Sequence, residues 1–196
     1  MLIKYLEILS EAIKRFYLND AKSLFGKNKQ IDERAMVGCI YRYMWYMLEQ
    51  QAIKDVQLCD IDVEYDRMEG THGKEIRKHI SIMDCCSLCK YKESCVEVIK
   101  KHMKENNYDF RPDIILHARG VSSQAGNFLD IEIKKENAVI ERKNFDEAKV
   151  RYCICAKAPL RYKIGVIVLL SEKGASMKVY THNGEDFIVE SKLVSQ

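Results

Sequence analysis

The run Leu129-Asp130-Ile131-Glu132-Ile133-Lys134 constrains this chain more than any other stretch. Apolar and polar residues alternate strictly, which is the two-residue period of a β-strand. One face then carries Leu129, Ile131 and Ile133, and the other carries Asp130, Glu132 and Lys134. Two carboxylates and an amine stand side by side. The same alternation suits the solvated face of an edge strand, so the neighbouring segments decide how it is read.

The segment before it opens with Pro112-Asp113 and continues as the apolar run Ile114-Ile115-Leu116-His117. A proline is tolerated at the first position of a strand, where no ladder hydrogen bond is lost. The intervening ARGVSSQAGN, rich in Gly, Ser and Asn, suits a hairpin connection. In such a hairpin Asp113 approaches Glu132. Adjacent carboxylates repel, and burial raises that cost, so the arrangement calls for a cation or a shared proton. A hard divalent ion with oxygen ligands meets that need.

The remaining elements are legible from periodicity. Residues 1–18 form an amphipathic helix with Leu2, Tyr5, Leu6, Leu9, Ile13 and Phe16 along one stripe. After the polar break GKNKQID, a second helix runs from Asp32 to about Gln51, with Asp32 as cap and Val37, Ile40, Met44, Met47 and Leu48 as its buried stripe. Glu33 lies four residues before Val37, at the start of the apolar stripe, an odd place for a carboxylate. Residues 58–66 alternate as a half-buried strand, with Ile61, Val63 and Tyr65 opposite Asp62, Glu64 and Asp66. A helix over 143–157, a strand over 162–170 buried on both faces and a hairpin over 176–190 complete the order. With 196 residues and 47% hydrophobic content, the expectation is a single domain over 1–196 with an insertion at 68–108. The fold class is α/β (α+β): a mixed central sheet flanked by helices.

A net charge of +3, from 32 basic and 29 acidic residues, is far from the basic excess that marks nonspecific duplex binding. The N-terminal helix is interrupted by Lys4, Glu7, Glu11, Lys14 and Arg15, unlike a secretory core, and no stretch reaches membrane-spanning length. A cytoplasmic protein without a membrane partner is expected. Eight cysteines, four of them at Cys85, Cys86, Cys89 and Cys95, then point to reduced thiols and a soft-metal site. Cys86, Cys89 and Cys95 form the firmer set, with Cys85, Cys59, His72 or His79 as the fourth ligand and Zn²⁺ as the preferred ion. Cys39, Cys153 and Cys155 read as small apolar residues.

Pro112-Asp113, a gap of 18 residues and Glu132-Ile133-Lys134 resemble the signature of the PD-(D/E)XK nuclease superfamily. Glu33 in ERAMVGCIYRYM and the strand Asp62-Val63-Glu64-Tyr65 extend the resemblance to most of residues 30–171. It implies a restriction-endonuclease-like fold in which Asp113 and Glu132 bind Mg²⁺ or Mn²⁺. It further implies that Lys134 orients or deprotonates the attacking water and that Glu33 adds a metal contact; Glu64 and Asp130 fall to supporting positions. The Cys86-x2-Cys89-x5-Cys95 spacing is similar to that of iron-sulfur members of the helicase-linked and CRISPR-associated types, which implies a [4Fe-4S] cluster. In those enzymes, however, the triplet follows the nuclease core and a Q-x-x-x-Y motif lies on the next helix. Here it precedes Asp113, and the corresponding stretch is Ala148-Lys149-Val150-Arg151-Tyr152, which favours zinc.

The function so implied is Mg²⁺-dependent phosphodiester hydrolysis of DNA. Lys135, Arg142, Lys143, Lys149, Arg151, Arg161 and Lys163 are candidate phosphate contacts, and a homodimer or a protein partner is expected to supply target recognition. Two alternatives come from other classes. One is a non-catalytic nucleic-acid- or protein-binding subunit that keeps a nuclease-like fold; the other is a metal-stabilised interaction protein whose working surface is the cysteine insertion.

Overall fold

The computed structural model describes residues 2–25, 32–50, 59–63, 67–69, 75–77, 79–81, 97–98, 100–101, 107–109, 111–118, 123–155, 160–182 and 187–194. Helix α1 spans Leu2–Asn19, a single turn α2 spans Ala21–Leu24, and α3 spans Glu33–Glu49. The Asp32 side chain accepts from the Arg34 amide at 3.0 Å, so the expected cap of α3 is formed. Strand β1 covers Asp60–Val63; β2 (Arg67–Glu69) pairs with β3 (Glu75–Arg77), and β4 (His79–Ser81) with β5 (Asn107–Asp109), as two separate antiparallel ladders. Then follow β6 (Ile114–His117), the single turn α4 (Ser123–Gly126), β7 (Asn127–Lys135), α5 (Ile140–Ile154), β8 (Ile164–Ser171), β9 (Gly174–His182) and β10 (Phe187–Val194).

Six strands form one mixed sheet in the order β1-β6-β7-β8-β9-β10. β6 and β7 are antiparallel, as expected for a hairpin, whereas β7 and β8 are parallel and α5 makes the crossover between them. β1 pairs directly with β6, so the chain between them leaves this sheet and returns to it. Cys85, Cys86, Cys89, Cys95, His72 and Glu64 lie outside the described residues. The side chain of His79 does too.

Both faces of the sheet are covered. Leu129, Ile131 and Ile133 of β7 join Ile114, Leu116, Val166 and Val168 beneath α1 and α3, where Tyr5, Leu9, Ile13, Phe16, Ile40 and Met44 are fully buried. Ile115 and Ile167 face the opposite way, into a second core with Phe145, Ala148, Val150, Tyr152, Cys153 and Ile154 of α5. β8 is apolar on both sides because it is sandwiched between these layers, as its sequence requires. β7 is not an edge strand: it lies between β6 and β8, and every residue from Asn127 to Lys134 is buried. Its polar face is therefore roofed by α5 rather than by water.

Several element boundaries differ from expectation. The helix expected at 143–157 begins at Ile140 and ends at Ile154. Val139 takes an extended cap conformation before it, and the chain turns extended at Cys155, where the Tyr162 amide donates to the Cys153 carbonyl at 2.8 Å. The hairpin expected at 176–190 is longer, pairing Ala175 with Val194 and His182 with Phe187, and β8 precedes it as a third antiparallel neighbour.

Candidate active site

The register of the β6–β7 hairpin builds the site. Ile114 pairs with Ile131 and Ile115 with Asp130, so one step further places Asp113 opposite Glu132. Asp113 Oδ2 accepts from the Ile133 amide at 2.7 Å, which fixes its carboxylate against β7. Two residues beyond Glu132, Lys134 Nζ donates to Glu33 Oε1 at 2.8 Å and lies 3.6 Å from Asp113 Oδ2. Glu33, 101 positions away in sequence, arrives from the N-terminal end of α3. The structure thus gathers Glu33, Asp113, Glu132 and Lys134 around one end of β7.

α5 adds two members that the sequence reading missed as such. Lys149 Nζ donates to Glu132 Oε1 at 2.7 Å and pairs with Asp146 Oδ1 at 3.0 Å, while Asp146 Oδ2 lies 3.5 Å from Lys134 Nζ. Lys149, expected among the phosphate contacts, is instead only 5% exposed. A signal for both was available: a helix bridging parallel strands must lie on the sheet, so charges beside its apolar Phe145, Ala148 and Val150 face the polar side of β7.

Comparison of the chain with family models, curated proteins and solved structures gives no match. The chemistry therefore rests on the geometry itself.

Four carboxyl groups (Glu33, Asp113, Glu132, Asp146) share two ammoniums (Lys134, Lys149), leaving two negative charges in excess when all are ionised. Burial pushes the Glu132 carboxyl well above its ordinary value, against the pull of Lys149 and with the added repulsion of Asp113 and Asp146. Burial likewise raises Asp113, opposed by Lys134 and the Ile133 amide. For the two lysines burial acts downward, but it is outweighed: Asp113, Asp146 and Glu132 hold the Lys134 ammonium above the usual lysine range, and Glu132 and Asp146 do the same for Lys149. Carboxyls that resist ionisation beside permanent cations mark a site lacking positive charge.

Glu132 Oε2 is buried and makes no hydrogen bond among the described residues. Also among the described residues, no three His, Cys, Asp or Glu side chains converge closely enough to enclose an ion by themselves. Mg²⁺ asks less than that, because it keeps several waters and takes one or two protein carboxylates together with substrate phosphate. Asp113 and Glu132, set across from each other by the register, are the two carboxylates that would serve such a mode. Exposure is graded across the site: the Glu33 side chain is 33% exposed and Asp113 20%, against 0% for Glu132, so access runs past Glu33 and Asp113.

On the same face of β6 as Asp113, His117 Nε2 meets Asp62 Oδ2 of β1 at 2.7 Å. This contact ties the edge strand to the hairpin. Among the described residues no helix is long and apolar enough to cross a membrane.

Proposed function

We propose that this chain is a Mg²⁺-dependent phosphodiester hydrolase of the PD-(D/E)XK type, acting on DNA. The observation that carries the reading is the position of Asp113, one residue before β6, across from Glu132 of the interior strand β7, with Lys134 on the same face and a buried Glu132 oxygen left without a hydrogen bond among the described residues. A purely structural polar core would gain nothing from excess carboxylate, since buried ion pairs seldom stabilise more than apolar packing does. The helix-borne Glu33 and the mixed sheet between helices are further features that the resemblance implies.

Mg²⁺ or Mn²⁺ at Asp113 and Glu132 would supply charge neutralisation at the scissile phosphate and an acidified water. The chain does the rest. Lys134, kept protonated by its carboxylate neighbours, is a preorganised donor for the hydroxide or for the charge gathering on the phosphoryl oxygens. Glu33 and Asp146 hold that ammonium from two sides, so it does not have to reorganise during the reaction. Asp113 stays in place through the Ile133 amide.

Cleavage of single-stranded DNA, duplex DNA and RNA with Mg²⁺ or Mn²⁺, beside Asp113→Ala and Lys134→Ala, tests the proposal. Activity abolished by both substitutions supports it. One observation favours a non-catalytic subunit instead: Lys149 already sits on Glu132. Mn²⁺ bound at Asp113 with no cleavage of any substrate would select that second reading.

A further inference from the structure

We propose that Lys149 is a resident counter-cation of the metal site, so that loading a divalent ion requires its ammonium to leave Glu132 and withdraw to Asp146. The inference rests on the reading of Asp113 and Glu132 as metal-binding carboxylates and adds a regulator to them.

Three observations converge on it. Lys149 comes from α5, not from the strands that carry the motif, and its side chain is 6% exposed against Glu132 at 0%, so this contact has almost no water to screen it. Glu132 uses one oxygen on Lys149, and its other oxygen is buried without a hydrogen bond among the described residues. A second cation at Glu132 meets strong repulsion from an ammonium held at 2.7 Å from the same carboxyl group.

The alternative seat already exists. Lys149 Nζ is 3.0 Å from Asp146 Oδ1, one helical turn away on the same element, and 5.5 Å from the centre of the Phe145 ring. Withdrawal therefore asks for rotation about the lysine side chain alone, with α5 staying packed on the sheet. Lys134 is less tightly placed on its metal-site carboxylate: its ammonium lies 3.6 Å from Asp113 Oδ2 and donates to Glu33, at the more exposed end of the site.

The arrangement has a direct consequence for affinity. The intact protein binds divalent ions weakly, since each ion must displace a partner, and Glu132 keeps a counter-charge when no ion is present. Replacing Lys149 by a neutral residue removes the competitor, while Asp113→Ala removes a ligand.

Mn²⁺ binding measured by electron paramagnetic resonance on the intact protein, Lys149→Gln and Asp113→Ala tests the inference without relying on activity. At least tenfold tighter Mn²⁺ binding by Lys149→Gln, with binding weakened in Asp113→Ala, is the expected result. Equal or weaker binding by a folded Lys149→Gln overturns the counter-cation role and leaves the metal site standing. No Mn²⁺ binding by any form overturns both. Should Lys149→Gln not fold, lysine-ammonium NMR of the intact protein during Mg²⁺ titration decides the matter. The Lys149 resonance must shift together with the Ile133 amide; an Ile133 shift with Lys149 unmoved overturns the inference.

Discussion

Gly165 is where the helix that roofs the site meets the sheet, and Gly165→Ala is the sharpest test of that packing. A Cβ built there would overlap Val150 Cγ1 and lie 3.1 Å from Ile154 Cγ2, both on α5. Two effects oppose each other. Alanine in a strand recovers roughly 0.5–1 kcal/mol of backbone entropy relative to glycine. Inserting a methyl into a closed core costs about 1–3 kcal/mol. The clash wins because Val150 is fully buried and, being β-branched in a helix, has essentially one rotamer to offer. The expected net loss is about 0.5–2 kcal/mol, which for a chain of this size lowers Tm by roughly 1–8 °C. Urea and thermal unfolding of the parent, Gly165→Ala, Val150→Ala and the double variant measure it. Since the new methyl fills the space that Val150→Ala vacates, the double variant should be more stable than the summed single losses by at least about 0.5 kcal/mol. A Gly165→Ala protein as stable as its parent, or strict additivity in the cycle, would refute the close seating of α5 on β8.

The pH dependence of stability should change in Glu132→Gln. A carboxyl raised in the folded state contributes stability that is present below its ordinary value of 4.5 and lost as pH rises through the higher folded value, so without divalent ions the parent should lose stability relative to Glu132→Gln as pH climbs from about 4.5 towards neutrality. A difference that is flat with pH would show Glu132 to be ionised as readily as a surface glutamate. Asp32→Ala should cost about 1 kcal/mol by removing the cap on α3, and because Glu33 follows directly, it should also loosen the Lys134 contact, read as a shift of the Lys134 ammonium resonance. Asp62→Asn and His117→Gln should show a coupling of roughly 1–3 kcal/mol in a double-mutant cycle at neutral pH, the range for a charge-assisted hydrogen bond. Zero coupling would mean that β1 is held by its backbone ladder and the packing of Ile61, with nothing added by this pair.

Local chemistry determined a large part of this protein. Alternation in 129–134 forced a strand with Glu132 and Lys134 on one face, and Pro112-Asp113 with the Gly- and Ser-containing loop made the preceding strand its antiparallel partner. Asp32 capped α3 as its side chain dictates, and the unbroken apolar run at 164–170 required cover on both faces. These features follow from two- and three-to-four-residue periods and from capping, which act over one or two turns of chain.

What the sequence left open is what depends on long-range packing. Whether the polar face of β7 met water or a helix turned on the parallel β7–β8 pairing, because a parallel crossover lays its helix across the sheet. That single choice converted Glu132 from a surface carboxylate into a buried one and brought Asp146 and Lys149 to it from 14 and 17 residues away, while α3, packed on the other face, gave Lys134 its contact with Glu33 across 101 residues. Periodicity names the face on which a side chain stands. Only the tertiary structure decides which charges stand over it and how far water is excluded from between them, and those two quantities set the electrostatics of the site.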